Sequence, residues 1–341
     1  MKGYNGMKRI VVCCPAYIAS GGPELLHQLC FKLIKAGYNA VMGYYGITNN
    51  SNNDNNISPK VYSKYNNPYI KIKKYNETKD DIVVIPETFI GAFKLKAKIR
   101  ILWWLSVDNF KGTFIGSKKH IHIRIRPILP FIGTQSYLSK LFVRKKIDYH
   151  LVQSYYAEDY VKKLGIENNK IMYLSDYLNN VFINNVINNS IPKKNIVLYN
   201  PKKGIEYTKK LILYANHIKW VPLENLSREQ MSEVLQSAKV YIDFGNHPGK
   251  DRIPREAAIS GCCVITGKRG SAGFYEDVPI PNELKFNEEN FNCKNICDRI
   301  TDVFDNYGYY YGILSNYRTI IKNEEAKFDR DLKEVFSKIV K

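Results

Sequence analysis

The segment at 243–261, DFGNHPGKDRIPREAAISG, gathers one His, one Lys, two Arg, two Asp and one Glu in a single short stretch. Apolar runs at Lys239–Asp243 and Cys262–Thr266 flank it, and both are typical of buried strands. A charged loop at the carboxyl end of a parallel strand, leading into a helix, is where open α/β sheets bind anionic ligands. The segment therefore predicts a site for a phosphate-bearing ligand.

The side chains of this segment suit different parts of such a ligand. Arg252 and Arg255 are three positions apart, so a helix would place both on one face as a fork for phosphate oxygens. Glu256 is expected near the start of a short helix, where its carboxylate would accept hydrogen bonds from ribose hydroxyls. The earlier part of the loop carries three further polar side chains, those of His247, Lys250 and Asp251. A solvated charged face is the alternative interpretation.

A glycine loop at 20–24 (SGGPE) follows the first predicted strand and precedes a predicted helix. Gly21 and Gly22 would let backbone N–H groups approach a ligand, and the helix N-terminus favours negative charge there. Its spacing differs from the GxGxxG fingerprint, so a dinucleotide cofactor is not expected. Ser20 is expected to cap the helix and Pro23 to lie in its first turn. A plain tight turn is the alternative.

A lysine pair lies in the loop at 200–204 (NPKKG), again between a predicted strand and a predicted helix. Lys202 and Lys203 are compact charges with three N–H donors each, which suits a diphosphate. A solvated turn on a basic protein is the alternative.

Strands and helices alternate along the whole chain, which predicts an α/β fold. The first half has predicted strands at Arg9–Ala16, Tyr38–Tyr45, Asp81–Pro86, Arg100–Leu105, His120–Arg126 and Tyr149–Gln153, with helices at 24–37 and 154–164, a loop at Ser106–Phe110, and an exposed insertion at 47–79 with one strand near Val61–Tyr65. The second half has predicted strands at Asn195–Tyr199, Lys219–Pro222 and on both sides of 243–261, with helices at 205–217, 227–238, 291–306 and 317–341. Ser227 and Gln230 fit a capping box at the start of one of these helices.

This repeated alternation predicts two Rossmann-like domains with parallel sheets that face a ligand-binding cleft. We expect an N-terminal domain at 1–180 and a second domain at 181–315, with an Asn-rich linker that extends through Pro192. A helical segment at 316–341 follows, and its return to the N-terminal domain is an open alternative.

Length and charge set wider bounds on function. The 341 residues suit about two domains, and the formal net charge of +19 raises the local concentration of anions. Nucleic acid, an anionic membrane and phosphorylated metabolites all fit this charge. The seven cysteines show no disulfide framework or zinc spacing, which indicates a reducing compartment. No signal peptide and no apolar run of membrane-spanning length is expected, so we predict a cytoplasmic protein, with a peripheral position on the inner membrane face left open.

Several motifs of the second half resemble those of GT-B glycosyltransferases, and most closely those of bacterial polysaccharide transferases related to family 4. They are NPKKG at 200–204, YIDFG at 241–245, HPGKDR at 247–252, PREAA at 254–258 and GCCVI at 261–265. Glu256 matches the ribose-binding Glu of the pattern P-x-E-A-x-x-x-G-x-x-V-I, and Lys203 matches the lysine that holds the donor diphosphate. Gly21 and Gly22 match the glycine loop of the family, near the donor phosphate and the acceptor.

The residue patterns and the resemblance together give a set of expected roles. The donor-binding residues would be Gly21, Gly22, Lys202, Lys203, Asp251, Arg252, Arg255 and Glu256. The catalytic residues would be Asp108, His247 and Lys250, and Glu24 and Trp104 would lie on the acceptor side. GT-B enzymes stabilise the leaving diphosphate with basic side chains and helix dipoles, so no metal and no cofactor are expected.

One departure from the family concerns its E-x7-E pattern, because Pro248 stands where the first Glu is expected. Either His247, Lys250 or Asp251 takes over that role, or the mechanism differs, so retaining and inverting stereochemistry both stay open. An inverting enzyme needs a side-chain base from the N-terminal half. The candidates are Glu24, Glu87 and Asp108, and Asp108 is favoured because it follows a predicted strand.

The implied function is transfer of a sugar from a nucleotide-diphosphate donor to a glycan or lipid-linked acceptor in surface polysaccharide synthesis. Basic residues at 118–126 and 140–146 would contact a lipid-diphosphate acceptor or an anionic bilayer. A catalytically silent GT-B scaffold that binds glycan is one alternative, which the missing Glu allows. A basic nucleic-acid-binding protein is another, but the sequence carries no known nucleic-acid motif, so no nucleic-acid partner is expected.

Overall fold

The computed structural model describes residues 8–47, 57–74, 76–89, 92, 94–113, 136–178, 181–184 and 191–340. The chain divides into two compact units. Unit 1 comprises Met1–Gln153, Ala157–Ser175 and Asp329–Lys341, and unit 2 comprises Ser154–Tyr156 and Asp176–Phe328. Apart from the three residues Ser154–Tyr156, the chain passes from unit 1 to unit 2 at residues 175–176 and returns at residues 328–329, and we call these two places the crossings.

Unit 1 is built on a seven-stranded parallel sheet with the strand order β3-β2-β1-β4-β5-β6-β7. The strands are β1 Ile10–Pro15, β2 Ala40–Tyr45, β3 Tyr69–Lys71, β4 Ile82–Pro86, β5 Ile99–Trp104, β6 Tyr149–Val152 and β7 Ile171–Tyr173. The central strands are buried on both faces, which explains why β1 and β4 are almost wholly apolar. The strand order reverses between β1 and β4, and ligands of open α/β sheets bind outside the carboxyl ends of the strands at such a point.

The helices of the first half connect these parallel strands. They are α1 Gly21–Lys35, α2 Val107–Thr113, α3 Ser136–Lys146 and α4 Tyr155–Lys163. Leu25, Leu26, Leu29 and Leu33 give α1 a buried apolar stripe. Gly37 follows α1 with φ +91°, a conformation that glycine adopts readily and that ends the helix.

Unit 2 is built on a four-stranded parallel sheet with the order β11-β10-β8-β9. The strands are β8 Lys194–Tyr199, β9 Lys219–Pro222, β10 Ala238–Asp243 and β11 Cys263–Thr266. The helices are α5 Ile205–Tyr214, α6 Arg228–Ser237, α7 Arg252–Ile259, α8 Cys293–Asp305, α9 Tyr307–Ile313, α10 Ser315–Lys322 and α11 Glu324–Ile339. Here the strand order reverses between β8 and β10, so the loops that follow these two strands lie at the expected ligand-binding edge.

The last helix, α11, begins in unit 2 and ends in unit 1. Within unit 1, Lys32 Nζ lies 2.9 Å from Asp329 Oδ2, and the rings of Tyr38 and Phe336 are 5.9 Å apart. The part of α11 after the crossing buries a set of apolar side chains, those of Leu332, Val335, Phe336 and Ile339. The end of the chain is thus a packed component of unit 1.

The predicted α/β fold with two parallel sheets is confirmed, and so is the capping box formed by Ser227 and Gln230. Several element predictions for the first half were wrong. A 3₁₀ helix, Lys60–Tyr65, replaces the strand predicted at Val61–Tyr65, because Tyr62 turns inward to bind Ser20. The predicted loop at Ser106–Phe110 is the start of α2, where the Ser106 hydroxyl accepts the N–H of Asn109.

Two short edge strands, β3 and β7, were not predicted, because three residues are too few to show a period. The strand predicted at His120–Arg126 lies outside the described residues. The single helix predicted from residue 317 onward is divided, with α10 and α11 separated at Asn323. Helix α7 begins at Arg252, so Glu256 lies in its second turn rather than at its start.

None of the helices in the described part of the chain is both long and apolar enough to span a bilayer.

Candidate functional site

The loops that follow β8 and β10 in unit 2 touch each other through two glycines. Gly204 has φ +59°, and a Cβ on it would lie 2.5 Å from the carbonyl carbon of Phe244. A Cβ on Gly245 would lie 2.4 Å from the Cβ of Lys203. Because no other residue fits at either position, the NPKKG and DFG motifs are locked together at the reversal of the strand order.

A row of alternating acidic and basic groups runs from Lys203 into the interior of unit 2. Lys203 Nζ forms an ion pair with Asp251 Oδ2. His247 lies between two carboxylates, with Nδ1 3.4 Å from Asp251 Oδ2 and Nε2 3.5 Å from Asp243 Oδ1. The Tyr241 hydroxyl donates to Asp243 Oδ2 at 2.8 Å. Asp251 therefore fixes the direction in which the Lys203 ammonium points, whereas the two ring nitrogens of His247 have no hydrogen-bond partner among the described residues.

His247 is fully buried, with 0% of its surface exposed. Its carbonyl accepts the N–H of Ser271 at 2.9 Å, and a Cβ on Gly270 would lie 2.0 Å from that carbonyl oxygen. The close approach of the Gly270 backbone therefore holds the main chain at His247. We predicted that His247 acts on the transferred group, and the structure places its imidazole inside unit 2, against Asp243 and Asp251.

Three side chains of this row could hold a metal ion. Asp243, His247 and Asp251 each offer one ligand atom, and these atoms lie within 4.8 Å of one another. Carboxylate and imidazole ligands suit several divalent ions. The Lys203 ammonium already provides positive charge beside Asp251, so the arrangement supplies a cation from the chain itself.

Arg255 lies in α7 but does not form the phosphate fork that its spacing from Arg252 predicts. Its guanidinium is fully buried and donates to Glu324 Oε2 at 2.8 Å and to Asp176 Oδ2 at 2.7 Å. Burial alone would raise the pKa of Asp176, but the charges of Arg255, Lys250 and Arg252 hold it below its usual value. The side chain of Arg255 is therefore a structural link within unit 2 rather than a group that faces a ligand.

Two other basic residues of the loop have different surroundings. Arg252 is the first residue of α7, its side chain is partly exposed, and its Nε lies 4.0 Å from Asp176 Oδ2. Lys250 Nζ lies 2.9 Å from Glu324 Oε1, and only 10% of its side chain is exposed. Lys250 was predicted to be catalytic, but its ammonium is held by Glu324, away from the Lys203 row.

The remaining predicted donor contacts lie near this edge of the sheet. Lys202 is exposed, and its N–H donates to Asn200 Oδ1 at 3.0 Å. Glu256 is half-buried in α7, and its charge contributes, after burial and Asp243, to the raised pKa of Tyr241. The structure thus brings together Lys203, Asp251, Arg252 and Glu256 around the start of α7 and the end of β10.

In unit 1, the glycine loop at 20–24 lies at the reversal of the strand order. A Cβ on Gly21 would meet no atom of the described residues within 4 Å, and a Cβ on Gly22 would meet one methyl of Leu105 at 4.0 Å. Ser20 was predicted to cap α1, but its side chain makes no capping hydrogen bond. Instead, the Tyr62 hydroxyl binds both backbone groups of Ser20, at 2.9 Å to the N–H and 2.8 Å to the carbonyl. The loop is held from the side, and among the described residues no atom fills the space that a side chain on Gly21 would take.

The three carboxylates predicted as candidate bases differ in their surroundings. Glu24 is 2% exposed and receives hydrogen bonds from Lys64 Nζ at 3.3 Å and Tyr65 Oη at 3.2 Å. Asp108 is half-buried in the first turn of α2. A base must exchange its proton with a ligand, so a carboxylate already held by a lysine is less suited to that task.

Glu87 has a perturbed pKa. It follows β4 directly and accepts the N–H of Leu105 at 3.1 Å. Burial raises the pKa of Glu87 from its ordinary 4.5 to about 7, although backbone hydrogen bonds act in the opposite direction. A carboxyl that titrates near neutral pH at the ligand-binding edge of a sheet has the properties of a general base.

Trp104 is a core residue of unit 1 rather than an acceptor contact. None of its surface is exposed, and its indole Nε1 donates to His150 Nδ1 at 3.1 Å. Burial lowers the pKa of His150 to about 4, which keeps the imidazole neutral as an acceptor. Trp104, expected on the acceptor side, instead packs β5 against β6.

Sequence reasoning missed several residues of both edges. Asp176 and Glu324 lie 79 and 69 positions from Arg255, so no local pattern connects them. Tyr62 and Tyr65 lie in the segment interpreted as an exposed insertion, where they hold the glycine loop and Glu24. The available signal was the pair of tyrosines at the third and sixth positions of the KVYSKY motif, and it pointed equally well to a strand.

Comparisons with known proteins agree with this architecture. No family model matches the sequence. A relative, the α-1,6-glucosyltransferase of Actinobacillus pleuropneumoniae serotype 7 (strain AP76), is 23% identical over 276 residues, which covers 76% of this chain and 75% of the relative.

Solved structures resemble the chain over nearly its whole length. Sucrose-phosphate synthase from Thermosynechococcus elongatus has a TM-score of 0.66 at 13% identity. The aligned region covers 97% of this chain and 99% of the synthase chain. Anabaena HepE in complex with UDP-glucose has a TM-score of 0.60 at 10% identity, with the same coverage. The lipopolysaccharide outer core galactosyltransferase WaaB has a TM-score of 0.58 at 12% identity, and covers 97% of this chain and 100% of its own. These neighbours are GT-B glycosyltransferases, and the chain has the GT-B fold.

Proposed function

We propose that this protein is a glycosyltransferase that moves a sugar from a nucleotide-diphosphate donor to a glycan or lipid-linked acceptor in surface polysaccharide synthesis. Unit 2 binds the donor and unit 1 binds the acceptor. The similarity to a glucosyltransferase and to a structure that holds UDP-glucose supports this proposal. The observation that carries it is the position of Lys203, held by Asp251 at the edge where β8 and β10 end.

The donor diphosphate would lie between Lys203 and the start of α7. Lys203 supplies a full positive charge, and Arg252 adds a second one at the N-terminus of the helix. Charge that develops on the leaving diphosphate would be stabilised by groups that are already in place, which is electrostatic catalysis. Glu256, one turn further along α7, would accept hydrogen bonds from the ribose. The proposal includes a relationship to the family 4 glycosyltransferases.

The acceptor would lie at the glycine loop of unit 1. The open space in front of Gly21 and Gly22 suits a ligand, and Glu87 lies at the end of the neighbouring strand β4. If transfer inverts the anomeric centre, Glu87 is the base that its raised pKa favours. We therefore prefer Glu87 to Asp108 as the candidate base in an inverting mechanism.

A basic helix in unit 1 supports a lipid-linked acceptor. Helix α3 exposes a cluster of cations, those of Lys140, Arg144, Lys145 and Lys146. Each such charge near an anionic leaflet adds about 1 kcal/mol of attraction. The stretch at 118–126 lies outside the described residues. Flotation with phosphatidylglycerol vesicles tests this part of the proposal.

Donor turnover without an essential metal is the second part of the mechanism that we propose. EDTA should leave the turnover rate unchanged, because Lys203, Arg252 and the α7 dipole supply the positive charge. A loss of turnover that Mg²⁺ or Mn²⁺ restores would instead assign Asp243, His247 and Asp251 to a metal.

The test of the proposed function is a thermal-shift screen against UDP, GDP, CMP and dTDP. Hydrolysis of nucleotide sugars that carry the best-binding nucleotide is then measured. At least one nucleoside diphosphate should raise the melting temperature. If none does, the transferase proposal fails. Binding without turnover would favour the catalytically silent scaffold, which Pro248 makes a specific alternative.

Glu256→Ala sharpens the test. The variant should bind the nucleotide more weakly while unit 2 stays folded, because the half-buried side chain lies on the surface of α7. Glu233→Ala, an exposed position on α6, is the matched control and should bind as the wild type does. Unchanged affinity in Glu256→Ala would remove this residue from the site.

A further inference from the structure

Arg255 joins three parts of unit 2 through four hydrogen bonds. Nη1 donates to Glu324 Oε2 at 2.8 Å and Nη2 to Asp176 Oδ2 at 2.7 Å. Nε donates to the carbonyl of Asp251 at 3.2 Å, and Nη2 donates to that of Lys250 at 3.1 Å. The guanidinium is fully buried, so the geometry of these contacts is set by the protein alone.

The two acidic partners of Arg255 lie beside the two crossings of the chain. Asp176 is the first residue after the crossing at 175–176. Glu324 is the first residue of α11, the helix that carries the chain through the return crossing at 328–329. One side chain therefore contacts the chain both where it enters this part of unit 2 and shortly before it leaves.

The two carbonyl partners belong to the loop that precedes α7, which we call the donor loop (residues 246–251). Asp251 of this loop holds Lys203 and lies 3.4 Å from His247 Nδ1. Lys250 of the same loop also reaches Glu324, with 2.9 Å between Nζ and Oε1. Arg255 and Lys250 thus connect the residues that position Lys203 to the segments at both crossings.

Stability alone is a weak explanation for this network. Replacing a buried set of charges by well-packed apolar residues is often neutral or stabilising, whereas a charged network specifies one arrangement of its partners. A fork of five N–H donors with fixed geometry is suited to holding several segments in one register. The network therefore points to positioning.

We propose that Arg255 is a positioning residue that couples the donor loop to both crossings. This inference rests on the proposed function, because the loop is the one that would meet the donor phosphate. Arg255 fixes the loop carbonyls and both acidic side chains at once, so ordering of the loop by a nucleotide is transmitted to the segments around residues 176 and 324. Conversely, loosening either segment disorders the loop and displaces Asp251 from Lys203.

Hydrogen exchange of the full-length protein, measured with and without the nucleotide that the thermal-shift screen selects, tests the coupling. In the wild type, the nucleotide should slow amide exchange in the donor loop and also around residues 174–178 and 322–327. In Arg255→Lys, which keeps the charge but loses the fork, protection should remain in the loop and be lost at the two segments. The kcat/KM should fall about tenfold, as expected for a small displacement of groups that bind the reacting centre.

Two milder variants keep the test decisive if Arg255→Lys does not fold. Glu324→Gln and Asp176→Asn each weaken one arm, and each should speed exchange in the donor loop even without nucleotide. Arg318→Lys is the matched control, since Arg318 is a largely buried arginine of unit 2 that contacts Tyr311 instead. It should leave both the coupling and the kcat/KM as in the wild type.

The outcomes separate the two proposals. If the wild type binds a nucleotide and the variants of Arg255, Glu324 and Asp176 show wild-type coupling with only a lower melting temperature, the positioning role is overturned and the proposed function stands. If the wild type binds no nucleoside diphosphate, both are overturned. Lost coupling with nucleotide binding retained supports Arg255 as a positioning residue.

Discussion

The ligand-binding edges of the two sheets both depend on glycine, but for opposite reasons. In unit 2, Gly204 and Gly245 are required because neighbouring atoms fill the space that a side chain would need. In unit 1, Gly21 faces no atom of the described residues within 4 Å and has an ordinary φ. Gly204 and Gly245 allow two loops of unit 2 to pack closely, whereas Gly21 leaves space that a ligand could occupy. A glycine-rich loop in the sequence therefore does not by itself indicate which of these two purposes it serves.

The two edges also differ in charge. The edge of unit 2 alternates acidic and basic groups, and Lys203 is held in place by its ion pair with Asp251. The edge of unit 1 presents carboxylates, among which Glu87 is buried without a basic side chain in any of its described hydrogen bonds. One edge is suited to a phosphate and the other to a hydroxyl that must lose a proton.

The largest expected effect is that of Gly204→Ala on the stability of unit 2. The new methyl would lie 2.5 Å from the Phe244 backbone, and φ +59° is strained for alanine, so we expect a loss of about 3 kcal/mol or more. Urea unfolding measures this change. Gly308→Ala is the matched control, because its Cβ would meet none of the described atoms within 4 Å. Equal stabilities of the two variants would remove the contrast between the edges.

Glu87 makes the stability of unit 1 depend on pH. Its pKa of about 7 in the folded state exceeds the ordinary 4.5, so the unfolded chain loses the proton first as the pH rises. The contribution of Glu87 to stability is therefore most favourable below pH 4.5, falls between pH 4.5 and 7, and is lower by about 3 kcal/mol above that range.

Glu87→Gln should remove this dependence, because the amide does not titrate and still accepts the N–H of Leu105. Urea titrations at pH 5 and pH 8 should show a smaller difference for the variant than for the wild type. Asp108→Asn serves as the comparison at the same edge. If the stabilities of the wild type and of Glu87→Gln change equally with pH, the burial of the Glu87 carboxylate does not affect the free energy of unfolding.

Lys203→Ala should weaken nucleotide binding about tenfold, which corresponds to about 1.4 kcal/mol. The loss follows from removal of one charge-assisted contact to a phosphate, and it should shrink at high salt. Isothermal titration calorimetry with the nucleotide chosen by the thermal-shift screen measures it. Lys209→Ala, an exposed lysine of α5, should bind normally. A Lys203→Ala variant with wild-type affinity would move the phosphate site elsewhere.

Gly21→Ala has the smallest expected effect on stability and sharpens the comparison most directly. The methyl meets no described atom, and alanine favours a helix start more than glycine does, so stability should stay within about 1 kcal/mol of the wild type. Turnover should nevertheless fall, because the methyl would occupy the space proposed for the acceptor. Wild-type turnover in this variant would show that no ligand uses that space.

The sequence was informative where the structure is local or repetitive. Strands such as β1 and β10 are buried on both faces, so their apolar runs identified them, and the capping box of Ser227 fixed the start of α6. The loops with the largest clusters of charge proved to follow β8 and β10, as predicted. The α/β class and the pair of parallel sheets could therefore be predicted from the sequence alone.

What could not be predicted depends on residues that are far apart in the chain. The sequence around Arg255 does not distinguish it from Arg252. Only the tertiary structure shows that Arg255 is buried between Asp176 and Glu324, whereas Arg252 is partly exposed. Trp104 was expected on the acceptor side, yet its indole is satisfied by His150 on the next strand. Burial of polar groups is decided by tertiary partners, which a local pattern does not contain.

The return of α11 to unit 1 affects the order in which the protein is made. Residues 329–340 supply Phe336 and its apolar neighbours to unit 1, and the Asp329 carboxylate meets Lys32. On the ribosome, the seven strands of unit 1 emerge first, but the helix that contacts Lys32 and Tyr38 emerges only after unit 2. Unit 2 can complete its own core before unit 1 has all of its parts. The apolar surface of unit 1 that α11 covers therefore stays exposed until α11 is made, and a chaperone would be needed most in that interval.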